Sequence, residues 1–113
     1  MDSSQLLKGV LDLLVLAALY ERDGYGYEIA KRIRHAGVAD VGDASIYGTL
    51  RRLFDAGYLT SYMVPSDEGP SRKYYALAAA GREALVEGRR RWEELVDAVE
   101  GLFGEMHVPK EAS

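Results

Sequence analysis

The chain has 113 residues, with 14 Lys and Arg against 18 Asp and Glu, so its net charge is −4, and it contains no cysteine. This length fits one domain with a core of its own, and the lack of cysteine excludes a disulfide scaffold, a thiolate zinc site and a cysteine nucleophile. Taken as a total, the acidic balance argues against a nucleic-acid-binding protein.

The most apolar stretch, residues 10–20, lies in the first predicted helix, which spans residues 5–22. This stretch is too short for a membrane span, which needs roughly 20 apolar residues, and the basic start of a signal peptide is missing. We therefore expect a cytoplasmic protein that binds no membrane. Because apolar residues surround nearly the whole helix, we expect one face to pack on its own domain and the other on a second subunit.

Two further helices follow, and each is expected to end at a glycine. The second spans residues 25–35 after a break at Asp23-Gly24, and the third spans residues 43–56 and stops at Gly57. The buried row of the third helix, spaced at helical intervals, consists of Ile46, Leu50 and Leu53.

The apolar period then changes from 3.6 to 2, which indicates strands. Residues 58–64 and 72–77 predict two strands, joined by a turn-rich loop of about six or seven residues over 65–71. The segment 58–77 is thus expected to form a β-hairpin.

A heptad row of apolar residues marks the last predicted helix, which spans residues 79–106. Its members are Leu85, Trp92, Leu95, Val99, Leu102 and Met106. Gly88 occupies the one position of the row without an apolar side chain, and Val96 and Phe103 broaden the stripe. The rest of the chain has too little apolar surface to cover this row, so we expect a second copy of the helix. Residues 107–113 are expected to fray.

The order of these elements predicts a mainly α-helical protein with a small β-hairpin. Residues 1–78 form a winged helix-turn-helix, and residues 79–106 form a long C-terminal dimerisation helix. The third helix enters the DNA major groove in such a fold, and the hairpin is the wing beside it. We expect the dimer interface to join the first and last helices through Leu6, Val10, Leu14, Leu85, Trp92, Leu95, Val99, Leu102, Phe103 and Met106.

Several short segments carry a resemblance when taken together, in order and at their spacing. They are Gly24-Tyr25-Gly26-Tyr27-Glu28, residues 45–53 (SIYGTLRRL), Gly57-Tyr58-Leu59, residues 69–77 (GPSRKYYAL), Gly81 and Leu85. Over roughly residues 5–105 the chain resembles the PadR family of transcriptional regulators. The resemblance implies a DNA-binding winged helix of the short subgroup, which dimerises through its first and last helices. The family usually has Pro at Gly48 and Thr at Ala78, so this chain lacks a capping hydroxyl before its last helix.

The third helix carries the strongest candidates for DNA contact, because arginine can bind guanine bidentately or clamp phosphate. The predicted contacts are Ser45, Tyr47, Gly48, Thr49, Arg51 and Arg52 on that helix, Arg72 and Lys73 at the wing, and Tyr27 and Lys31 on the second helix. Strand alternation sends Arg72 and Lys73 to opposite faces, so we expect one of them to reach phosphate. Tyr47 remains open as a packing residue, and Tyr27 and Lys31 remain open as plain surface.

Trp92, the only tryptophan, has two interpretations. It is either a dimer-core residue or one wall of an effector pocket at the two-fold axis, where it faces its mate across the gap left by Gly88, beside Val96. Apolar pockets between helices are common ligand sites, and the resemblance permits a flat aromatic or apolar effector.

We therefore expect a sequence-specific repressor that binds a pseudo-palindromic double-stranded DNA operator as a homodimer, with half-sites roughly 10 bp apart. The alternative is a winged-helix module that binds protein instead of DNA. No acid–base, nucleophile or metal-spaced constellation is present, so we expect no enzyme, no cofactor and no metal. Residues 25–75, which hold the second and third helices and the hairpin, contain 7 bases and 6 acids. The acidic excess lies outside this segment and no longer argues against DNA.

Overall fold

The structure is a computed structural model that describes residues 3–104 and residue 106. Within this part the elements are α1 (Ser3–Lys8), α2 (Leu11–Glu21), β1 (Gly24–Tyr25), α3 (Gly26–His35), α4 (Asp43–Asp55), β2 (Leu59–Ser66), β3 (Gly69–Leu77) and α5 (Ala79–Phe103). This is the predicted winged helix-turn-helix followed by a long C-terminal helix. The expected frayed tail, residues 107–113, lies outside the described residues.

The core lies where α2, α3 and α4 meet beneath the sheet. Its four most deeply buried large side chains are Val15 of α2, Ile29 of α3, and Ile46 and Leu50 of α4. Burial of a side chain of this size contributes about 1.5–3 kcal/mol to folding. The apolar row predicted from the sequence for the third helix, now α4, therefore packs against Ile29 of α3 and Val15 of α2 in this core.

The prediction of one continuous first helix is wrong. The chain forms two helices here, which are separated at Gly9 and Val10. The Val10 N–H donates to the Leu7 carbonyl at 3.0 Å and so closes a turn between them. Glycine is among the poorest helix formers, so Gly9, which directly precedes the apolar stretch of residues 10–20, marks the break in the sequence. In α2, Leu16 and Leu19 are buried, whereas Tyr20 is exposed.

The sheet has three strands in the order β1-β3-β2, one more than predicted. Gly24 and Tyr25, expected to belong to the break and the second helix, pair with Tyr75 and Tyr74 of β3. The wing loop is also shorter than expected, because β2 and β3 extend to Ser66 and Gly69. Only two residues connect the strands, and the ladder is irregular between Val64 and Ser66, where Pro65 has no N–H to donate.

Arginine side chains fix both turns around α3. The Arg32 guanidinium donates to the carbonyl oxygens of Ala18 at 3.1 Å, Arg22 at 2.6 Å and Asp23 at 2.7 Å. It thereby satisfies carbonyl groups at the C-terminal end of α2 that have no partner within the helix. The winged helix therefore depends on a charged group that caps one helix from within another.

Arg34 holds the turn between α3 and α4. Its guanidinium donates to the Val41 carbonyl at 3.0 Å and forms an ion pair with Asp43 at the start of α4. The turn begins at Gly37, whose φ of 116° is open to glycine and strained for other residues. The last turn of α3 is therefore tied both to the connecting turn and to the first residue of α4.

The start of α5 docks by backbone contact instead of a capping side chain. Ala78 caps the helix without a side-chain hydrogen bond, as the sequence predicts, and its N–H donates to the Tyr58 carbonyl at 3.0 Å. Gly81 is buried against the same carbonyl, so that a Cβ there would overlap the oxygen. Because Gly81 has no side chain, the first turn of α5 can pack directly against the Tyr58 carbonyl.

Replacement of Gly81 by Ala is expected to lower the free energy of unfolding by about 1–3 kcal/mol, because backbone must move to admit the methyl group. Gly101→Ala in the same helix is the matched control. A Cβ at Gly101 meets no other atom within 4 Å, so this change should raise stability by up to about 1 kcal/mol. Urea unfolding of both variants at one protein concentration measures the difference, and equal effects would contradict the close packing at Gly81.

Candidate nucleic-acid interface

One face of α4 points away from the protein and is built from small residues and one arginine. Ala44, Gly48 and Arg51 follow at i, i+4 and i+7 and are all exposed, opposite the buried row of Ile46 and Leu50. A Cβ at Gly48 would meet nothing within 4 Å. The backbone of α4 can therefore approach another surface closely at Gly48, with the long Arg51 side chain one turn further on.

Arg52, the neighbour of Arg51, is directed to the flank of α4 and is held by α2. Its guanidinium forms two hydrogen bonds to the carboxylate of Asp12, one of them 3.0 Å from Nη1 to Oδ2. This hydrogen bond, together with the charge of Asp12, raises the pKa of Arg52. The two adjacent arginines, equivalent in the sequence analysis, thus differ because one has a partner within the protein.

The structure corrects the prediction that Thr49 contacts DNA, because its hydroxyl does not face the outside of the protein. Its side chain is buried, with 5% of its surface exposed, and Oγ1 donates to the Ser45 carbonyl one turn earlier at 2.8 Å. Ser45 itself is exposed, so of these two hydroxyl residues only Ser45 remains a candidate contact.

Tyr47 both packs and remains accessible. Its ring lies against Gly26 so closely that a Cβ at Gly26 would overlap it, yet about half of the side chain is exposed. The two alternatives left open for Tyr47 therefore describe two parts of one side chain: the ring joins α4 to the start of α3, and the rest of its surface faces solvent.

The two basic residues at the wing base lie on opposite faces of β3, as strand alternation predicts. The Arg72 guanidinium lies over the Tyr25 ring, 4.7 Å from its centre. The Lys73 ammonium lies over the rings of Phe54 and Tyr75, at 5.0 and 5.6 Å. Arg72 therefore belongs to the outer face of the sheet, and Lys73 to the face that packs toward the end of α4.

The outer face of the sheet is rich in tyrosine. Tyr74 of β3 lies between Tyr25, at 5.4 Å between ring centres, and Tyr62, at 5.7 Å. The Tyr62 hydroxyl donates to Asp23 at 2.7 Å, and this bond raises the pKa of Tyr62. This aromatic face was absent from the sequence prediction, because it combines one tyrosine from each of three strands, and these share a face only once the strands pair.

Tyr27 and Lys31 are exposed one turn apart on α3. Together with Arg32 they line a shallow groove that also contains the carboxylates of Glu21 and Glu28. The Tyr27 ring stacks near Tyr25, with 6.3 Å between centres. The geometry therefore brings Tyr27 close to Tyr25 of the sheet, whereas Lys31 lies in a groove that carries both acidic and basic side chains.

Two apolar grooves, of about 380 and 320 Å³, run between α2 and α5, and both are lined by Val10, Leu13 and Trp92. Gly88 lines the larger groove, and the Leu13 side chain of the same chain lies 3.0 Å from the position that a Cβ at Gly88 would take. The expected gap between two tryptophans involves a second subunit and stays a prediction. Val96 is not among the residues that line either groove.

The residues predicted for the dimer interface fall into two groups. Leu14 and Leu85 are half-buried and pack against the chain's own core, and Val10 is half-buried as well. The others carry large exposed apolar surface: Leu6, Trp92, Leu95, Val99, Leu102, Phe103 and Met106. The distal half of α5 thus carries an apolar row that is uncovered within the chain, while Leu85 packs against the core and Gly88 faces Leu13 of α2.

Among the described residues, no group of three or more His, Asp or Glu is placed to hold a metal ion. Within the same part of the chain, no helix combines the length and the apolar character needed to cross a membrane.

Comparison with known proteins places this geometry in a family. The model of the transcriptional regulator PadR-like family matches residues 15–87. A protein of Lysinibacillus sphaericus is 31% identical over 107 residues, which cover 93% of this chain and 97% of that protein. Transcriptional regulator Rv3488 of Mycobacterium tuberculosis is 43% identical over 68 residues, or 60% of this chain and 61% of that protein.

The fold agrees with solved structures of the same kind. A PadR-like transcriptional regulator from Bacillus cereus superposes with a TM-score of 0.79 and 32% identity, over 88% of this chain and 97% of that chain. A PadR family transcriptional regulator from Eggerthella lenta gives a TM-score of 0.79 and 32% identity, over 89% and 88%. These matches confirm the resemblance seen in the sequence motifs and the expectation that the protein is not an enzyme. The chain belongs to the PadR family of winged-helix, DNA-binding transcriptional regulators.

Proposed function

We propose that this regulator is a repressor that binds a pseudo-palindromic operator as a homodimer, with α4 in the major groove. The exposed row of Ala44, Gly48 and Arg51 carries this proposal. Two small residues allow the helix backbone to lie deep in the groove, and an arginine with exposed donors suits the N7 and O6 acceptors of guanine. Ser45 and the exposed part of Tyr47 flank this row and supply hydroxyl groups for phosphate.

Dimerisation through α5 is supported by its uncovered apolar row. Leu95, Val99 and Leu102 stand at heptad spacing and are all exposed, a pattern that a second helix covers by knobs-into-holes packing. A dimer places two copies of α4 on successive turns of the duplex, so that each half-site contributes to one binding event.

The apolar grooves between α2 and α5 support an effector site that opens beside this interface. We propose that a flat aromatic or apolar compound binds against Trp92 and Leu13. Such a ligand changes DNA binding only if it binds the DNA-competent and the incompetent dimer with different affinity.

Arg51→Ala is expected to weaken binding to the protein's own promoter by about 1–3 kcal/mol if Arg51 contacts a base, as measured by gel shift with and without competitor DNA. Arg89→Ala, the charge-matched control, removes a residue of α5 that is paired with Glu93 at 2.9 Å, and it should leave affinity nearly unchanged. Arg52→Ala should cost less than Arg51→Ala because Asp12 already engages its guanidinium.

A wild-type affinity for Arg51→Ala would contradict the placement of α4 in the major groove. Failure of the wild-type protein to bind DNA at low salt would instead favour the alternative, a winged-helix module that binds another protein.

Leu102→Glu is expected to shift the protein from dimer toward monomer in sedimentation or size-exclusion experiments at micromolar concentration. Leu102 is 87% exposed in the single chain, so its replacement costs the monomer little while it places a charge in the proposed seam. Val86→Glu is the control, since Val86 is 72% exposed on the same helix but lies off the heptad row. Equal dimer dissociation constants for the two variants would rule out the proposed seam.

The effector groove is tested by quenching of the single tryptophan with anilinonaphthalene sulfonate, an aromatic probe of apolar sites. Saturable quenching is expected for the wild type, and Ala17→Glu should weaken it because Ala17 is exposed and lines the 320 Å³ groove. Ala80→Glu, which is exposed on α5 and outside the groove lining, should behave as wild type. Equal quenching of the two variants would place the probe elsewhere.

A further inference from the structure

The Arg72 side chain at the wing base is held by one aromatic residue in two ways. Its guanidinium carbon lies 4.7 Å from the centre of the Tyr25 ring, and its Nη1 donates to the Tyr25 hydroxyl at 3.2 Å. Tyr25 belongs to β1, 47 residues earlier in the chain. The contact therefore joins the wing to the segment that leads into α3.

Tyr25 is itself fixed by the elements around it. Its backbone pairs with Tyr74 of β3, and its N–H is capped by the Glu28 carboxylate at 3.4 Å in the first turn of α3. Its ring lies between the rings of Tyr27, at 6.3 Å, and Tyr74, at 5.4 Å. A side chain that rests on Tyr25 is thus placed relative to both the sheet and the helix-turn-helix pair.

This arrangement suits an arginine that binds phosphate. A guanidinium that stacks on an aromatic ring keeps the N–H groups at its edge available for a second partner. Arg72 is exposed, and one of its N–H groups is directed to the Tyr25 hydroxyl, which leaves other donors of the planar fork for a bidentate phosphate contact. Holding the long side chain in place beforehand reduces the conformational entropy lost on binding.

We propose that Tyr25 is a positioning residue for DNA binding, which holds Arg72 so that its guanidinium meets a backbone phosphate beside the groove entered by α4. This inference rests on the proposed function, because it assumes that α4 reads the operator. Lys73 does not share this role, since it lies on the opposite face over Phe54 and Tyr75.

The same face of the sheet offers a matched control. Tyr62 stacks on Tyr74 at 5.7 Å, and its hydroxyl donates to Asp23 at 2.7 Å. It is a tyrosine of the same aromatic cluster, but it contacts Tyr74 and Asp23 instead of Arg72. Its removal disturbs the cluster without removing the support of Arg72.

The test is a double-mutant cycle on operator affinity at several salt concentrations, with circular dichroism to follow folding. Arg72→Ala is expected to lower affinity and to reduce the slope of log affinity against log salt by about 0.9 for each phosphate that the protein no longer neutralises. In the wild-type background, Tyr25→Leu should also lower the affinity and reduce the salt slope. In the Arg72→Ala background, Tyr25→Leu should cause no further loss, whereas Tyr62→Leu should have the same effect in both backgrounds.

The inference would be overturned if the losses of operator affinity from Tyr25→Leu and Arg72→Ala multiply in the double variant. This is the behaviour that is expected of Tyr62→Leu combined with Arg72→Ala. If Tyr25→Leu does not fold, Tyr25→Phe replaces it. That variant should bind about threefold more weakly in the wild-type background, the value of one hydrogen bond, and should change nothing with Arg72→Ala. Equal weakening in both backgrounds, or none in either, would overturn the inference. Wild-type affinity for both Arg51→Ala and Arg72→Ala would refute the proposed function itself.

Discussion

The close approach of three elements at Gly24, Tyr25 and Gly26 is the constraint on which the winged helix depends. The Arg32 guanidinium occupies the space where Gly24 would have a Cβ, and the Tyr47 ring occupies that space at Gly26. Between them, Tyr25 pairs with β3. Neither glycine has a positive φ, so both are required by lack of space and not by a turn. The wing, α3 and α4 therefore meet through side chains that fill the space beside the two glycines.

The sequence predicted the elements of α4 well but could not rank its polar residues. Helical periodicity identified Ile46, Leu50 and Leu53 as the core row because burial of apolar surface repeats at 3.6 residues. It could not separate Arg51 from Arg52, since the difference lies in Asp12, 40 residues away in the chain. Thr49 shows the same limit: a hydroxyl can bond to its own helix as readily as to a ligand.

The parts of the fold that escaped prediction are those that carry no periodic signal. A strand as short as Gly24–Tyr25 has no alternation to detect, and it exists only because β3 lies beside it. The length of the wing loop was overestimated because Pro65 and the polar residues after it are typical of turns. In the structure, Pro65 and Ser66 instead extend β2 through an irregular part of the ladder. The contact of Tyr25 with Arg72 follows from this added strand and was therefore equally hidden.

The ion pairs show which arginines of the chain are neutralised by a neighbouring carboxylate. On α5, Arg89 pairs with Glu93 at 2.9 Å and Arg91 with Glu87 at 3.0 Å, so its run of arginines presents no net basic surface. Among the described residues, no carboxylate forms an ion pair with Arg51 or Arg72, and both lie on the proposed DNA-facing side.

Because the protein as a whole carries a net charge of −4, its affinity for arbitrary DNA should be low. Discrimination between the operator and other DNA must then come from a small number of contacts, which each subunit of the proposed dimer makes once. The proposed dimer meets this requirement and links the apolar row of α5 to the outward face of α4, because a second copy doubles the contacts that Ala44, Gly48 and Arg51 offer to an operator.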